Sequence, residues 1–363
     1  MAKNKLILDF YKRYQYAKWY KIIKKICSED PQEFKLSREE KNEITEYWRN
    51  CDVFGGGILS NLLWHEYLYG KTGRKDVRFI SEDLFHIDII PALNDMSLMK
   101  AWTDKAYLGK YIDIDSCPQN IISRVNGTYI NANYERISFG EAKKLISKYD
   151  QIVVKPCIES GQGKGVELLS EPYNLKIVDI KNKFDFTIQL PIKQHEMMMK
   201  LNKSSVNTIR ISSGLWDGEV HIFSSFIRIG QKGEFADNFG DNRYFVNILK
   251  SGNLDKFGMN HLGKYTDRVE NGVVFSDFAI PYYNDVVDLV KRMHKKLPHF
   301  KLVFWDICIG LDGTPIIIEI NLAHPDITTL QMVCGPFFGD MTYDIITKVV
   351  SPNIYPIQIY MYQ

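Results

Sequence analysis

Helical spacing of apolar residues dominates the first hundred positions of the chain. Apolar side chains recur every three or four residues in four stretches, which is the pattern of helices that bury one face. Ser37, followed three residues later by Glu40, resembles a capping box at the start of one of these stretches. The predicted helices are residues 3–27, 37–48, 58–69 and 81–100, the last with a break at Pro91. The pattern therefore predicts a helical N-terminal region over residues 1–95.

Beyond residue 100 the pattern changes to short runs of β-branched and aromatic residues. The predicted strands are residues 127–130, 151–155, 165–169, 184–190, 207–214, 220–229, 244–249, 303–311 and 315–320. Helical stretches at 138–148 and 283–296 lie among them. Because strands are grouped with few helices between them, the sequence predicts an α+β fold with antiparallel sheets. The uncharged, aromatic-rich tail at 355–363 is expected to dock on the domain, with a partner contact as the alternative.

The composition excludes several classes of protein. With 45% hydrophobic residues in 363 positions, the chain can bury a sizeable core and corresponds to two or three domains. Forty-six basic and 44 acidic residues give a net charge of +2, so no global charge attracts nucleic acid. We expect neither a secretory signal nor a membrane span, since no apolar stretch reaches about 18 residues. The six scattered cysteines have no metal-binding spacing and are typical of reduced, buried thiols in a cytoplasmic protein.

The first predicted helix is strongly basic. Residues 3–27 contain eight lysines and arginines and one acid, Asp9. The favoured interpretation is an ordinary surface helix with a solvated basic face. The alternative is a helix that lies on an anionic membrane surface, which would place the protein peripherally at the inner face of the membrane.

A glycine-rich hairpin is the first candidate for chemistry. A strand ends in Lys155, and the following loop carries Gly161, Gln162, Gly163 and Gly165 before a second strand begins. Glycines let backbone N–H groups approach a polyphosphate closely, and a strand lysine adds a positive charge. The alternative is a hairpin that uses its glycines only for turns and bulges.

A second constellation lies about 150 residues further on. Asp306 occupies one apolar run, and Glu319 and Asn321 occupy the next, with a turn signal at residues 312–313 between them. The turn places Asp306 and Glu319 on adjacent antiparallel strands, and Glu319 and Asn321 on one face. Carboxylate and amide oxygens are ligands suited to Mg²⁺. The alternative, that both acids are edge-strand charges, is disfavoured because their neighbours are so apolar.

Together these motifs resemble the ATP-grasp superfamily. The resemblance implies two α+β subdomains that close on ATP, with Mg²⁺ held by Asp306, Glu319 and Asn321. By the same resemblance Lys105 and Lys155 contact phosphate, and residues 186–196 form a hinge that holds adenine, with Gln189 at the adenine amino group. The backbone of Leu190 and Ile192 would follow the adenine edge, and Glu196 would bind the ribose hydroxyls.

The resemblance also implies a division of the chain. It covers residues 95–345. The glycine hairpin and hinge would form one subdomain over residues 96–192, and the metal-binding sheet a second over residues 193–345. Residues 346–363 would form a C-terminal tail.

Finer motifs resemble the sugar-transfer-associated ATP-grasp group, whose members are associated with surface polysaccharide biosynthesis. The motifs are VNTIR (206–210), FIRIG (226–230), ADN (236–238), EIN (319–321), LQ (330–331) and GPFF (335–338). Two departures bear on the acceptor substrate. Residues 240–242 read Gly-Asp-Asn where a Gly-Gly pair is expected, and Phe304 stands where some peptide-forming relatives have a cation. Arg210 or Arg228 would supply that charge instead.

The activity implied by the resemblance is an ATP- and Mg²⁺-dependent carboxylate–amine ligase that works through an acyl-phosphate. Arg210 and Arg228 would be catalytic, holding the transferring phosphoryl group and the carboxylate; the alternative is that both are surface ion-pair partners. The expected substrates are small-molecule or sugar-linked, with a uronic acid or amino acid as the carboxylate. The rival classes are a phosphotransferase that stops at a phosphoester and a non-catalytic nucleotide-binding module. His195 and His324 lie beside these motifs but are expected to be ordinary core or surface histidines.

Overall fold

The computed structural model describes residues 2–51, 58–158, 165–170, 185–233, 243–260, 263–323 and 325–351. Its N-terminal region is helical, as the apolar spacing predicts: α1 is Ala2–Glu29, α2 is Arg38–Asn50 and α3 is Ile58–Thr72. The predicted capping box is confirmed. The Ser37 hydroxyl accepts the Glu40 N–H at 3.1 Å, and the Glu40 carboxylate accepts the Ser37 N–H at 2.7 Å.

The fourth predicted helix differs in detail. It consists of α4 (Glu82–Leu84), a π-helical turn (Phe85–Ile89) and α5 (Ile90–Leu93). The helix therefore continues through Pro91, and the predicted break there is wrong. The Ile90 N–H bonds to the Phe85 carbonyl, so the wider turn precedes the proline and accommodates a residue that has no N–H to donate. The chain leaves the helix at Asn94, which is extended.

The first sheet has six strands, all paired antiparallel, in the order β3-β2-β1-β6-β4-β5. The strands are β1 (Asn120–Val125), β2 (Thr128–Asn131), β3 (Arg136–Ile137), β4 (Gln151–Pro156), β5 (Glu167–Ser170) and β6 (Phe186–Gln189). Short helices α6 (Met99–Trp102) and α7 (Leu108–Tyr111) precede the sheet, and α8 (Phe139–Ile146) packs on it. Ile122, Phe186 and Ile188 form its core with Ala142 and Ile146 of α8.

The second sheet has seven antiparallel strands in the order β11-β10-β9-β8-β7-β12-β13. The strands are β7 (Thr208–Trp216), β8 (Glu219–Ile229), β9 (Tyr244–Ile248), β10 (Leu254–Asn260), β11 (Tyr265–Thr266), β12 (Leu302–Ile309) and β13 (Pro315–Asn321). Helix α9 (Glu196–Met199) precedes the sheet. Helix α10 (Tyr283–His294) packs on one face, where Ile209, Ile227, Trp305 and Val290 are fully buried.

The opposite face of the second sheet is divided. At one end Phe226, Leu302 and Phe304 form a core with the N-terminal helices and with α11 (Ile327–Cys334), α12 (Thr342–Ile345) and the π-helical turn Ile346–Val350. These helices cover the apolar half of the face, and the charged residues lie on the other half. The mixed α+β class is confirmed, while the division at residues 95, 192 and 345 stays a prediction. The tail at 355–363 lies outside the described residues.

None of the six cysteines forms a disulfide, and all six lie in the described part of the chain. Among the helices that the structure describes, none combines the length and the apolarity needed to cross a membrane.

The turn between β12 and β13 supports a prediction. Gly313 has φ +88°, and a Cβ atom there would lie 2.5 Å from the Tyr282 ring. We expect Gly313→Ala to lower the free energy of unfolding by more than the ~1 kcal/mol of backbone strain alone. Gly272→Ala is the matched control, since Gly272 has φ +90° but nothing within 4 Å of its Cβ position. Urea unfolding of both variants measures the difference, and equal losses would contradict a steric role for the turn.

Candidate active site

The charged half of the second sheet presents a row of opposite charges. Arg210 on β7 is paired directly with Asp306 on β12, and Asp306 is paired directly with Glu319 on β13. Directly paired residues of antiparallel strands project to the same face, so these side chains share one surface. Arg228 on β8 joins the same row. The prediction that the two acids lie on adjacent antiparallel strands is confirmed.

Asp306 is the centre of this row. Arg210 holds it with two parallel hydrogen bonds of 2.7 Å, and Arg228 adds a third of 3.0 Å. Burial raises the pKa of Asp306, but the charges of Arg210 and Arg228 outweigh burial and hold that pKa well below its ordinary value. Because β12 lies between β7 and β13, Asp306 is not an edge-strand charge. The two arginines are ion-pair partners, as their alternative interpretation required, but they are partly buried rather than at the surface.

Glu319 lies on the edge strand and links the two sheets. Its carboxylate contacts the Lys105 ammonium at 3.2 Å and the Asn321 amide at 3.4 Å. The backbone N–H of Lys105 donates to the carbonyl of Cys157, directly after β4. Lys105 is therefore attached to the first sheet through its backbone and reaches the second sheet through its side chain.

Lys155 lies close to the same cluster. Burial, followed by the nearby charge of Lys105, lowers the pKa of Lys155 to about 8, and Glu319 opposes the shift. The structure thus brings both predicted phosphate-contacting lysines to the carboxylates of the second sheet. Of the glycine loop, Gly161, Gln162 and Gly163 lie outside the described residues. Gly165 has φ +75°, and a Cβ there would lie 2.9 Å from the Pro156 ring, so this position requires glycine.

The predicted adenine-binding segment follows β6. The amide nitrogen of buried Gln189 donates to the Asn120 side chain at 2.8 Å, whereas its oxygen has no partner among the described residues. Gln189 and Lys105 both line a cavity of about 340 Å³. The N–H of Leu190 is donated to the carbonyl of Gln119, so Leu190 can offer a ligand its carbonyl oxygen but not its N–H.

Ile192, His195 and Glu196 lie in the rest of the predicted hinge. Ile192 is half-buried, and Glu196 is exposed in the first turn of α9. His195 donates its N–H to the Ile309 carbonyl, and its ring accepts the Met197 N–H at 3.2 Å. His195 is thus a helix cap that joins the hinge to the second sheet, which fits its expected ordinary role. His324 lies outside the described residues.

The donor set bears on the expected metal. In the described part of the chain, no group of three histidine, cysteine, aspartate or glutamate side chains is arranged so that it could hold a metal ion. The predicted set is instead two carboxylates and one amide oxygen, which Asp306, Glu319 and Asn321 place on two paired strands. Hard oxygen donors in this number fit Mg²⁺, which keeps waters and substrate phosphates as its other ligands.

The sequence alone missed Asn120, which orients Gln189. Asn120 begins β1, a strand absent from the predicted set, and its pairing with β6 shifts register between Asn120 and Ile122. The only local signal is the proline two residues earlier, which marks the start of a new element.

Comparison with known protein families shows to which family the chain is related. The family described as sugar-transfer associated ATP-grasp matches residues 84–339, which is more than half of the 363-residue chain. The chain belongs to this family. The resemblance that the motifs indicated is therefore confirmed, and the two sheets joined by Lys105 are those of an ATP-grasp fold. No curated protein matches the chain.

Solved structures similar to this ATP-grasp chain include several ligases. An L-amino acid ligase from Bacillus licheniformis has 13% identity and a TM-score of 0.38, over 80% of this chain and 54% of that one. A D-alanine–D-alanine ligase from Bacillus anthracis has 15% identity and a TM-score of 0.39, and the match covers 72% of this chain and 70% of that one. D-cycloserine synthetase DcsG has 14% identity and a TM-score of 0.40, and the match covers 72% of this chain and 73% of that one. The chain thus spans about half the length of the L-amino acid ligase.

The lowered pKa of Lys155 leads to a prediction. A lysine whose folded pKa of about 8 lies below its ordinary value destabilises the fold when it is charged. The wild-type protein should therefore gain stability relative to Lys155→Met as the pH rises from about 8 towards 10.5, where the unfolded lysine also loses its proton. Urea unfolding at several pH values measures the gap. For the exposed lysine variant Lys148→Met, the free energy of unfolding should change with pH in parallel with that of the wild type. A parallel change for Lys155→Met would contradict the prediction.

Proposed function

We propose that this protein is an ATP- and Mg²⁺-dependent ligase that joins a carboxylate to an amine. One observation carries the proposal: four cations from two sheets meet two carboxylates and an amide on a single surface. Lys155 lies on β4 of the first sheet, and Lys105 is hydrogen-bonded through its backbone to the residue after β4. Arg210 and Arg228 lie on the second sheet. Such a surface suits a highly charged anion and its metal, which is what phosphoryl transfer requires.

The nucleotide would occupy the space between the sheets. Lys105 and Lys155 would hold its phosphates, covered by the loop with Gly161, Gln162, Gly163 and Gly165. The buried oxygen of Gln189 without a partner suits the amino group of adenine, which is a donor. The Leu190 carbonyl and Ile192 would follow the adenine edge, and exposed Glu196 would accept from the ribose hydroxyls.

Asp306, Glu319 and Asn321 would hold Mg²⁺. When bound, the metal neutralises phosphate charge as a Lewis acid. Without ligand, Lys105 neutralises Glu319 and the two arginines neutralise Asp306. A triphosphate would compete for these cations and would leave the carboxylate oxygens available to hold the metal. The same residues would thus satisfy one another before binding and serve the nucleotide and metal afterwards.

Arg210 and Arg228 would hold the reacting groups. Each presents a planar set of donors that fits a carboxylate or phosphoryl group in bidentate geometry, as Arg210 does with Asp306. A substrate carboxylate oxygen would attack the γ-phosphorus, and ADP would leave with the electrons of the broken bond. An amine would then attack the acyl carbon, release phosphate, and lose a proton to give the amide. The chain contributes positioning and charge rather than a covalent nucleophile.

The family description favours substrates that carry sugars. We place the reaction in bacterial surface polysaccharide biosynthesis, in capsule or O-antigen assembly, within the cytoplasm. This part of the proposal rests on analogy with the family. The carboxylate would then belong to a uronic acid or an amino acid linked to the sugar.

The product distinguishes the ligase from its rivals. The protein should be incubated with MgATP, hydroxylamine and a panel of uronic acids and amino acids, and both ADP and hydroxamate should be measured. A ligase gives ADP and hydroxamate in equal amounts, because hydroxylamine captures the acyl-phosphate. ADP with a stable phosphoester would identify a kinase, and MgATP binding without turnover over the whole panel would identify a binding module. Either result would overturn the ligase proposal.

The N-terminal helix supports a separate proposal of peripheral membrane contact. Phe10, Tyr11 and Tyr14 are exposed, with Phe10 at 75%, and the basic side chains of Arg13 and Lys18 are exposed beside them. Exposed aromatic residues next to basic ones suit an anionic bilayer surface. The protein should sediment with phosphatidylglycerol vesicles but not with phosphatidylcholine vesicles, and Phe10→Ser with Tyr14→Ser should abolish this. Failure to sediment would leave the helix as an ordinary solvated surface.

A further inference from the structure

A second cavity of about 740 Å³ lies between the N-terminal helices and the segment that follows β13. Helices α1, α3 and α4 supply one wall, through residues such as Trp19, Trp64 and Glu82, and Pro325 and Thr328 supply another. Pro325 follows Asn321 by four residues, which span at most about 14 Å. The cavity is therefore within one small-molecule length of the proposed metal site. Its volume falls in the usual range for ligand pockets.

Aromatic surfaces form much of this cavity. The Trp19 ring stacks on the His86 ring at 5.4 Å with an interplanar angle of 11°. Trp64 is buried, and its indole N–H has no partner among the described residues. A buried donor without a partner is costly, and a ligand hydroxyl would satisfy it. Tyr67 adds a fourth aromatic side chain to the wall.

The polar groups of the cavity are held in position. Glu82 bonds to His86 at 2.9 Å and accepts both the N–H and the hydroxyl of Thr328 at 2.7 Å. Asp30 is paired with Lys71 and accepts the Tyr67 hydroxyl at 3.1 Å. These contacts fix the carboxylates against the aromatic surfaces before any ligand arrives.

The charge of the cavity is negative. Four carboxylates line it, and Lys71 is the one lysine or arginine in the described lining. The four carboxylates belong to Glu29, Asp30, Glu82 and Asp326. A ligand carboxylate would be repelled there, whereas an ammonium group would be attracted both by the acids and by the ring of half-buried Trp19.

From these observations we infer that the cavity binds a sugar that carries a primary amine, and that this sugar is the amine substrate of the reaction. Only the role of this sugar as the amine substrate rests on the proposed function. Aromatic faces cover the ring of the sugar, carboxylates accept from its hydroxyl and ammonium groups, and the Trp64 N–H donates to a ring substituent. The carboxylate substrate would then lie at Arg210 and Arg228. The opposite charges of the two places would direct each substrate to its own site.

Ligand-detected NMR without nucleotide tests the inference directly. Saturation transfer to D-glucosamine, D-glucose and D-glucuronate should be compared on the full chain at pH 6.5, where the amine is protonated. We expect clear transfer to glucosamine, weaker transfer to glucose and none to glucuronate. The double variant Glu29→Gln with Asp326→Asn removes two exposed charges and keeps the helix-capping ability of residue 326. It should bind glucosamine about five- to tenfold more weakly.

The control is Glu33→Gln, an exposed acid outside the lining, which should bind as the wild type does. Equal transfer to all three sugars, no transfer to glucosamine, or an unchanged affinity in the double variant would overturn the inference. Measuring MgATP binding by the same samples distinguishes a failure of the cavity proposal from a failure of the ligase proposal. A protein that binds MgATP but not glucosamine refutes only the cavity, and one that binds glucosamine but not MgATP refutes only the ligase.

Discussion

Asp306→Asn should reduce substrate-dependent ADP release by at least about 100-fold. The carboxylate supplies a metal ligand in the proposed reaction and also sets the positions of Arg210 and Arg228, with which it forms three hydrogen bonds. An asparagine retains one acceptor oxygen but removes the charge. The two partly buried guanidinium groups then lose their counter-ion, so we also expect the free energy of unfolding to fall by about 3 kcal/mol.

Asp312→Asn is the matched control for this variant. Asp312 lies in the turn of the same hairpin, is exposed, and accepts the Thr314 N–H, which an asparagine can also do. Coupled-enzyme detection of ADP and urea unfolding should leave the control near the wild type. If Asp306→Asn kept wild-type ADP release, Asp306 would have no place in the reaction and the metal assignment would be wrong.

Phe337→Ala should cost about 3–5 kcal/mol of stability, the range for removing a buried aromatic side chain. The Phe337 ring is stacked on Phe304 at 5.6 Å, makes an edge contact with the Phe85 ring and is tilted against the Phe338 ring. It therefore joins the N-terminal helices, the C-terminal helices and β12 in one core. Because Phe304 is two residues from Asp306 on the same strand, we expect the variant to lose ADP release as well.

Thermal and urea unfolding measure this effect. Tyr343→Ala, at an aromatic residue of α12 that is 47% exposed, should cost less than about 1 kcal/mol. A Phe337→Ala protein as stable as the Tyr343→Ala protein would contradict the view that the helical region and the sheet share one core.

The elements that sequence could predict are those fixed by local spacing. The turn at residues 312–313 lies between two apolar runs, so counting along the chain places Asp306 and Glu319 on adjacent strands. Their direct pairing depends on a register shift between Asp306 and Ile307, which the sequence does not indicate. Ser37 and Glu40 form a capping box for the same local reason. Lys155 was identified from its position at the end of a strand before the glycine loop, whereas Lys105 was found only through resemblance, since its surroundings do not distinguish it from other lysines.

The elements that sequence could not predict depend on contacts between distant segments. The π-helical turn before Pro91 forms inside a helix that is buried against the sheet, where packing favours continuation over a break. The second cavity brings together Trp19, Trp64 and Thr328, which are far apart in sequence and share no spacing. The double contact of Arg210 and Arg228 with Asp306 likewise needs the strand order β8-β7-β12, which local patterns do not determine.

Calorimetric titration with ATP, with and without Mg²⁺, tests the central claim that one charged surface between the two sheets binds the nucleotide and its metal. The wild-type protein should bind ATP in the presence of Mg²⁺ and much more weakly in EDTA. Lys105→Met with Lys155→Met should weaken MgATP binding by about 100-fold, since each lysine contributes a charged contact worth roughly 1.5 kcal/mol, while the exposed variant Lys148→Met should bind as the wild type does. Binding of MgATP that is unchanged in the double variant, or its absence in the wild type, would contradict the account.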